Sequence, residues 1–248
     1  MEIRKQKRKL LILPICSVLA TLMIAFGCVS PAQKHVNKGN EYYKQGQYDE
    51  AAMEYTQAIK LDPQLADSYN GLGLGYQKKG KFDEAITDFD KAIELEPTNA
   101  EFYYNRGNLY LERGRLQTAV ADYDKAIVLD PKFVMAYNNR GQAYAGQYRF
   151  DTAIDDYSKA IELDPKLAVA YDDRGLMYFD KREYDIAVSD FNKAIELDPN
   201  LATAYFNRGL AYNRKGDKTQ AKADLDKCIE ISTDPALTKA AKELRERL

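Results

Sequence analysis

Residues 100–133 read AEFYYNRGNLYLERGRLQTAVADYDKAIVLDPKF, and the fold follows from the spacing within those 34 residues. Tyr103, Gly107, Tyr110 and Leu111 share one face of a helix. Beyond a polar turn, Ala119, Val120, Tyr123, Ala126 and Ile127 share one face of a second. Gly and Ala stand where two helices must cross closely, and the aromatic side chains fill the space between them and the next unit. Pro131 stops the second helix, because it lacks an amide hydrogen and restricts the residue before it. A single helix pair of this size cannot bury its apolar face alone, so it needs neighbours.

Those neighbours are present. Pro63, Pro97, Pro131, Pro165 and Pro199 are each 34 residues apart. The same step carries Gly39, Gly73, Gly107, Gly141, Gly175 and Gly209, then Tyr42, Tyr76, Tyr110, Tyr144, Tyr178 and Tyr212. Ala51, Ala85, Ala119, Ala153, Ala187 and Ala221 follow it, as does the series Tyr55, Phe89, Tyr123, Tyr157, Phe191 and Leu225. A fixed period of this length is the signature of a repeat architecture. The unit resembles the tetratricopeptide repeat (TPR), with Tyr69, Tyr103, Tyr137, Tyr171 and Tyr205 where that family usually has Trp. The resemblance implies an all-α fold: a right-handed α-solenoid of six stacked helix-turn-helix repeats and a C-terminal capping helix. The repeats are placed at 32–65, 66–99, 100–133, 134–167, 168–201 and 202–235, with the cap at 236–248. The first unit is irregular around His35 and Asn37, as a terminal repeat should be.

Arg106, Arg140, Arg174 and Arg208 recur seven residues into their units, and Asp88, Asp122, Asp156, Asp190 and Asp224 recur at position twenty-three. We expect ion pairs between adjacent repeats, Asp88 with Arg106 and Asp122 with Arg140, in preference to a basic strip for an acidic ligand. Such pairs set register more than they add stability.

In the TPR family, position six of the first helix faces the concave groove. Here it holds Asn37, Gly71, Asn105, Asn139, Asp173 and Asn207, which resembles the asparagine ladder of protein O-linked N-acetylglucosamine transferases. A carboxamide has both a donor and an acceptor, so a row of them can grip a peptide backbone without reading its side chains. Adjacent groove positions offer Asn40, Asn70, Tyr104, Asn108, Asn138, Gln142, Asp172, Phe179 and Phe206. The competing reading is that these are solvated polar residues of an ordinary helix face. The carboxylate clamp by which other family members hold a C-terminal carboxylate lacks its Lys and Arg, with Val36, Asp67 and Glu101 nearby. The groove acids Glu101, Asp172, Asp173 and Asp180 suit a partner carrying Lys or Arg.

Composition narrows the function. Hydrophobic residues make up 45% and charged residues 30%, with 19 Tyr and no Trp, which suits a folded body. The formal net charge of −2 includes a cationic leader with Arg4, Lys5, Lys7, Arg8 and Lys9, so the rest is more acidic still. That argues against nucleic acid as a partner. His35 is the only histidine, which leaves no His-based triad or metal site. Asp172 and Asp173 are adjacent and would point in different directions on a helix, which disfavours a paired acid and base. No catalytic residue, cofactor, metal or small-molecule substrate is expected.

The cationic run is followed by an apolar stretch, Leu10 to Gly27, the layout of a targeting segment. Ala25-Phe26-Gly27-Cys28 resembles the bacterial lipobox, which implies a signal peptide at 1–27, lipidation of Cys28 and a tether at 28–31. Ala25 and Phe26 depart from the family, which has Leu and then a small residue. The stretch is about the minimum length of a membrane span, so an uncleaved anchor and a plain secretory signal stay open. Either anchored form leaves the body outside the cytoplasmic membrane. Val29 follows the Cys, where the family's inner-membrane retention signal is Asp, so the outer membrane is favoured over the inner. With Cys16 discarded and Cys28 acylated, Cys228 remains alone, at a position where other repeats have Ala. It reads as packing ahead of a redox site.

The leading functional expectation is a membrane-tethered scaffold that binds an extended segment of an envelope protein, as an adaptor or assembly factor. The alternative is a constitutive subunit of an envelope machine with no exchangeable ligand. Glycan binding through loop tyrosines Tyr48 and Tyr184 is more distant.

Overall fold

The structure is a computed structural model, and it describes residues 29–248. Among the described residues there are thirteen helices and no strands. They fall into two compact units, the first ending at Leu95 and the second beginning at Glu96. Unit 1 holds α1 (Pro31–Lys44), α2 (Tyr48–Leu61), α3 (Ala66–Lys78) and α4 (Phe82–Leu95). Unit 2 holds α5 (Ala100–Glu112), α6 (Leu116–Leu129), α7 (Val134–Gly146), α8 (Phe150–Leu163), α9 (Ala168–Asp180), α10 (Tyr184–Leu197), α11 (Ala202–Lys215), α12 (Lys218–Ile231) and α13 (Pro235–Glu246). Within each unit every helix packs on the next, and each first helix of a pair also touches the first helix of the following pair. The proposed signal, anchor and lipidation segment, with Cys16 and Cys28, lies outside the described residues. No helix among them is long and apolar enough to cross a membrane.

Two chain reversals alternate. After each first helix the backbone enters the left-handed region: Gly46, Gly80, Gly114 and Gly216 have φ between 68° and 86°. In α1 the amide of Gln47 then reaches back to the carbonyl of Tyr42 at 2.9 Å, and that of Gly46 to Tyr43 at 3.0 Å. This pairing closes the orphan carbonyls of a helix end. It recurs at Lys81, Arg115, Arg149, Glu183 and Asp217, each bonded to the Tyr carbonyl of its own unit. Tyr148 and Arg182 occupy the same left-handed position without being glycine, at φ 58° and 65°. After the second helix the residue before Pro is extended, as at Asp62, Asp130, Asp164 and Asp198. In each of these four turns the Asp carboxylate accepts the amide two residues on, at 2.9–3.0 Å.

The glycines at position eight allow the helices of a pair to touch. A Cβ on Gly141 would fall 2.8 Å from Cε1 of Tyr157, and one on Gly39 2.6 Å from the same atom of Tyr55. The rings of Tyr55, Phe89, Tyr123, Tyr157 and Phe191 and the side chain of Leu225 are buried against that bare backbone. The final helix covers the last pair: Leu237, Ala241 and Leu244 of α13 pack on Leu225 and Cys228. Asp234 caps it, accepting the Ala236 amide at 2.8 Å, with Pro235 at the first turn. Cys228 is fully buried and free, and burial pushes its thiol up to about 11, which suits packing and not redox exchange. Tyr48 and Tyr184 are not loop residues; they open α2 and α10, and their rings pack on Tyr43 and Phe179 at 5.4 and 5.5 Å.

Candidate functional site: the first-helix face

Within unit 2 the repeated arginines Arg140, Arg174 and Arg208 do not pair with the preceding repeat's position twenty-three. Arg106, Arg140, Arg174 and Arg208 each make a two-pronged bond, 2.6–2.9 Å, to Asp122, Asp156, Asp190 and Asp224 of their own repeat. The reason is geometric. Position twenty-three lies against the glycine at position eight, so the Cβ of Asp122, Asp190 and Asp224 comes within 3.2–3.4 Å of where a glycine Cβ would be. The guanidinium one residue earlier therefore meets the carboxylate of the same hairpin. Its remaining Nη1 does reach back one repeat, but to position twenty-five: Arg140 to Asp124, Arg174 to Ser158 and Arg208 to Asn192, at 2.6–3.1 Å. The ladder ties neighbouring repeats in a register two residues away from the expected one. In unit 1, Asp88 has Leu72 at the arginine position and meets no cation within its unit; burial pushes its carboxyl up to about 6. Glu54 takes the place of Asp in the first repeat, where hydrogen bonds from Lys38 and His35 hold it below the usual carboxylate range.

The other face of the first helices carries the candidate groove residues. In unit 1, Asn37 is exposed and accepts from Gln33 at 3.2 Å, Asn70 is buried, and Asn40 accepts from the Tyr55 hydroxyl at 2.7 Å. Gly71 breaks the asparagine series because any side chain would strike Tyr55: its Cβ would sit 2.5 Å from the ring. In unit 2, Asn139 on α7 donates to Asn108 Oδ1 at 2.8 Å and to the Tyr104 hydroxyl at 3.1 Å, both on α5. Asn207 on α11 donates to Asp172 Oδ1 of α9 at 2.9 Å, and Thr203 donates to its Oδ2 at 2.7 Å. Gln142 and Asn138 of α7 donate to Asp173 Oδ2 of α9 at 3.1 and 3.5 Å. Asn105 is buried on α5, and Phe206 packs with the core of the last pair. In unit 2 the face is thus a series of side-chain bonds between successive first helices. Asp172 and Asp173 point to opposite neighbours and hold no shared proton.

Burial raises both aspartates, and Asp173 is pushed up to about 6: the Asp172 charge adds to its burial, and the hydrogen bonds from Gln142 and Asn138 offset only part of the rise. The hydroxyl pairings were not foreseen from the sequence, although their signal is there. Where position twenty-four is Tyr (Tyr55, Tyr123, Tyr157), position nine is Asn40, Asn108 or Gln142; where it is Phe89, Phe191 or Leu225, position nine is Leu74, Leu176 or Leu210. Two of the three tyrosines bond their partner directly, Tyr123 donating to Asn108 at 2.8 Å. Among the described residues no group of three or more His, Cys, Asp or Glu is placed to hold a metal ion.

The TPR repeat pattern matches residues 39–80, 76–112, 107–147 and 175–216, and further tetratricopeptide-repeat patterns match 134–167 and 202–235. Stress-induced-phosphoprotein 1 of Caenorhabditis elegans is 49% identical over 39 residues, which is 16% of this chain and 12% of that protein's length. Among solved structures, YrrB, described as a TPR protein with an unusual peptide-binding site, is 26% identical with a TM-score of 0.59, covering 76% of this chain and 97% of its own. PilW, described as a widely conserved type IV pilus biogenesis factor, is 20% identical with a TM-score of 0.77, covering 86% and 99%, a likeness of fold alone.

Proposed function

The chain belongs to the tetratricopeptide-repeat family, and from that premise we propose that it is a membrane-tethered scaffold holding an extended segment of an envelope protein on its first-helix face, as an adaptor or assembly factor. The observation that carries the reading is the half-committed carboxamide. Asn207 spends its Nδ2 on Asp172 of the neighbouring helix, which fixes its orientation and leaves its Oδ1 as an acceptor for a peptide N–H. Asn139 is fixed in the same way by Tyr104 and Asn108, and its Oδ1 meets only a 3.4 Å contact from Asn138. A side chain held by one end presents the other at little entropic cost, which is what preorganised recognition needs. The likeness to YrrB, whose description names peptide binding, favours the same class of ligand.

Tethering rests on the sequence: a cationic leader, an apolar stretch and Cys28 after a small residue. The reading places the protein on the periplasmic side of the envelope, at the outer membrane ahead of the inner. A crosslinking pull-down from envelope extracts with the full chain tests the face. Changing Asn105, Asn139 and Asn207 to Ala should abolish capture of one envelope protein; equal capture by a folded variant would move the site elsewhere. Because Asn139 and Asn207 also bond neighbouring helices, the variant's melting curve accompanies the assay.

A further inference from the structure

Unit 2 neutralises its buried carboxylates with care, except in one place. Asp122, Asp156, Asp190 and Asp224 each receive two arginine donors. Asp172 and Asp173 receive only neutral ones. Asp172 is 6% exposed and saturated by Thr203 and Asn207. Asp173 is half-buried and open on one side, its Oδ2 touched by the exposed Gln142 and, at 3.5 Å, by Asn138. Asn138 is 1% exposed, and the Oδ1 of that same carboxamide has no donor among the described residues. A buried carbonyl without a donor has lost its water without replacement, and here it sits beside a carboxylate without a cation.

We propose that Asp173, with Asn138 and Gln142 across the α7–α9 interface, is a station for one cationic side chain, lysine or arginine, of the extended peptide held on the first-helix face. The inference rests on the peptide-binding reading and names what that peptide must carry. An ammonium brings three donors and a guanidinium five, enough to meet the Asp173 carboxylate and the Oε1 of the exposed Gln142 together. Gln142 is exposed and yields its bond at small cost. The groups facing Asp173 are Gln142 and Asn138 from α7, Tyr157 from α8 and Asp172 on its own helix, and none is a cation. Burial has already raised this carboxyl to about 6, so an arriving positive charge relieves a standing penalty.

Selection of a displayed random nonapeptide library on the full chain tests the station. Lys or Arg should be enriched about fivefold or more at one position of the selected peptides. The enrichment should vanish with Asp173→Asn, which keeps the shape and most hydrogen bonds, and persist with Asp172→Asn. A selected lysine peptide should bind about tenfold more weakly at pH 5.0 than at pH 7.5, as Asp173 takes up its proton, and the Asp173→Asn protein should show no such dependence. Selected peptides without cationic enrichment, or enrichment that survives Asp173→Asn, overturn the station and leave the face as a peptide site. Selection of no peptide at all overturns both.

Discussion

At the scale of the residue, the turns between paired helices hold strain that the repeat elsewhere avoids. Four glycines take the left-handed conformation without cost, while Tyr148 and Arg182 adopt it with a Cβ. Tyr148 is 83% exposed and loses only an edge contact with Phe150 if removed. Tyr148→Gly and Arg182→Gly should each stabilise the protein by about 1 kcal/mol, read from the urea midpoint. The opposite holds at position eight. Gly141→Ala forces a Cβ against the Tyr157 ring and should cost about 1–3 kcal/mol by the same measurement. The sequence made the glycine positions legible because their spacing repeats. It did not make the arginine partners legible, because position seven can face either hairpin until the close approach at Gly107, Gly175 and Gly209 is known.

At the scale of the element, Arg140, Arg174 and Arg208 each join three helices, and the loss of one should exceed that of an ordinary surface pair. Arg140→Met strands Asp156 in a buried setting and should destabilise by about 3 kcal/mol, whereas Asp124→Asn, at the exposed end of the same guanidinium, should cost under about 1 kcal/mol. The capping helix invites a chemical test. With Cys16 and Cys28 changed to Ser, a chain ending at residue 234 uncovers the side chain of Cys228, and an aromatic disulfide reagent should label it at least about tenfold faster than in the full-length control. The helix pairs and the cap were readable from apolar spacing and proline. The bonds between first helices were not, because an Asn or Asp on a polar face reads alike whether it meets water, as Asn37 does, or the next helix, as Asn139 and Asp172 do.

At the scale of the whole molecule, each unit carries one carboxyl pushed up to about 6, Asp88 in the first and Asp173 in the second. A carboxyl with a raised folded pKa binds its proton more tightly in the native state, so its ionisation destabilises the fold as pH rises towards and past 6. These groups should therefore favour a higher melting temperature at pH 5.5 than at pH 7.5, and the double change Asp88→Asn and Asp173→Asn should flatten that slope. The N-terminal reading has its own test: Cys28→Ala should abolish incorporation of a fatty-acid label and leave the precursor unprocessed. The pairing of position nine with position twenty-four bears on heredity. Repeats of near-equal sequence recombine, and their copy number drifts by unequal crossing-over. A breakpoint between those two positions would join a first helix bearing Asn108 to a second bearing Phe191, or one bearing Leu176 to Tyr123. The second kind of progeny would bury a tyrosine hydroxyl with no mate. Exchange between unlike repeats is therefore tolerated at the prolines between units, where it passes on whole hairpins, while exchange inside a hairpin is confined to repeats of like pairing.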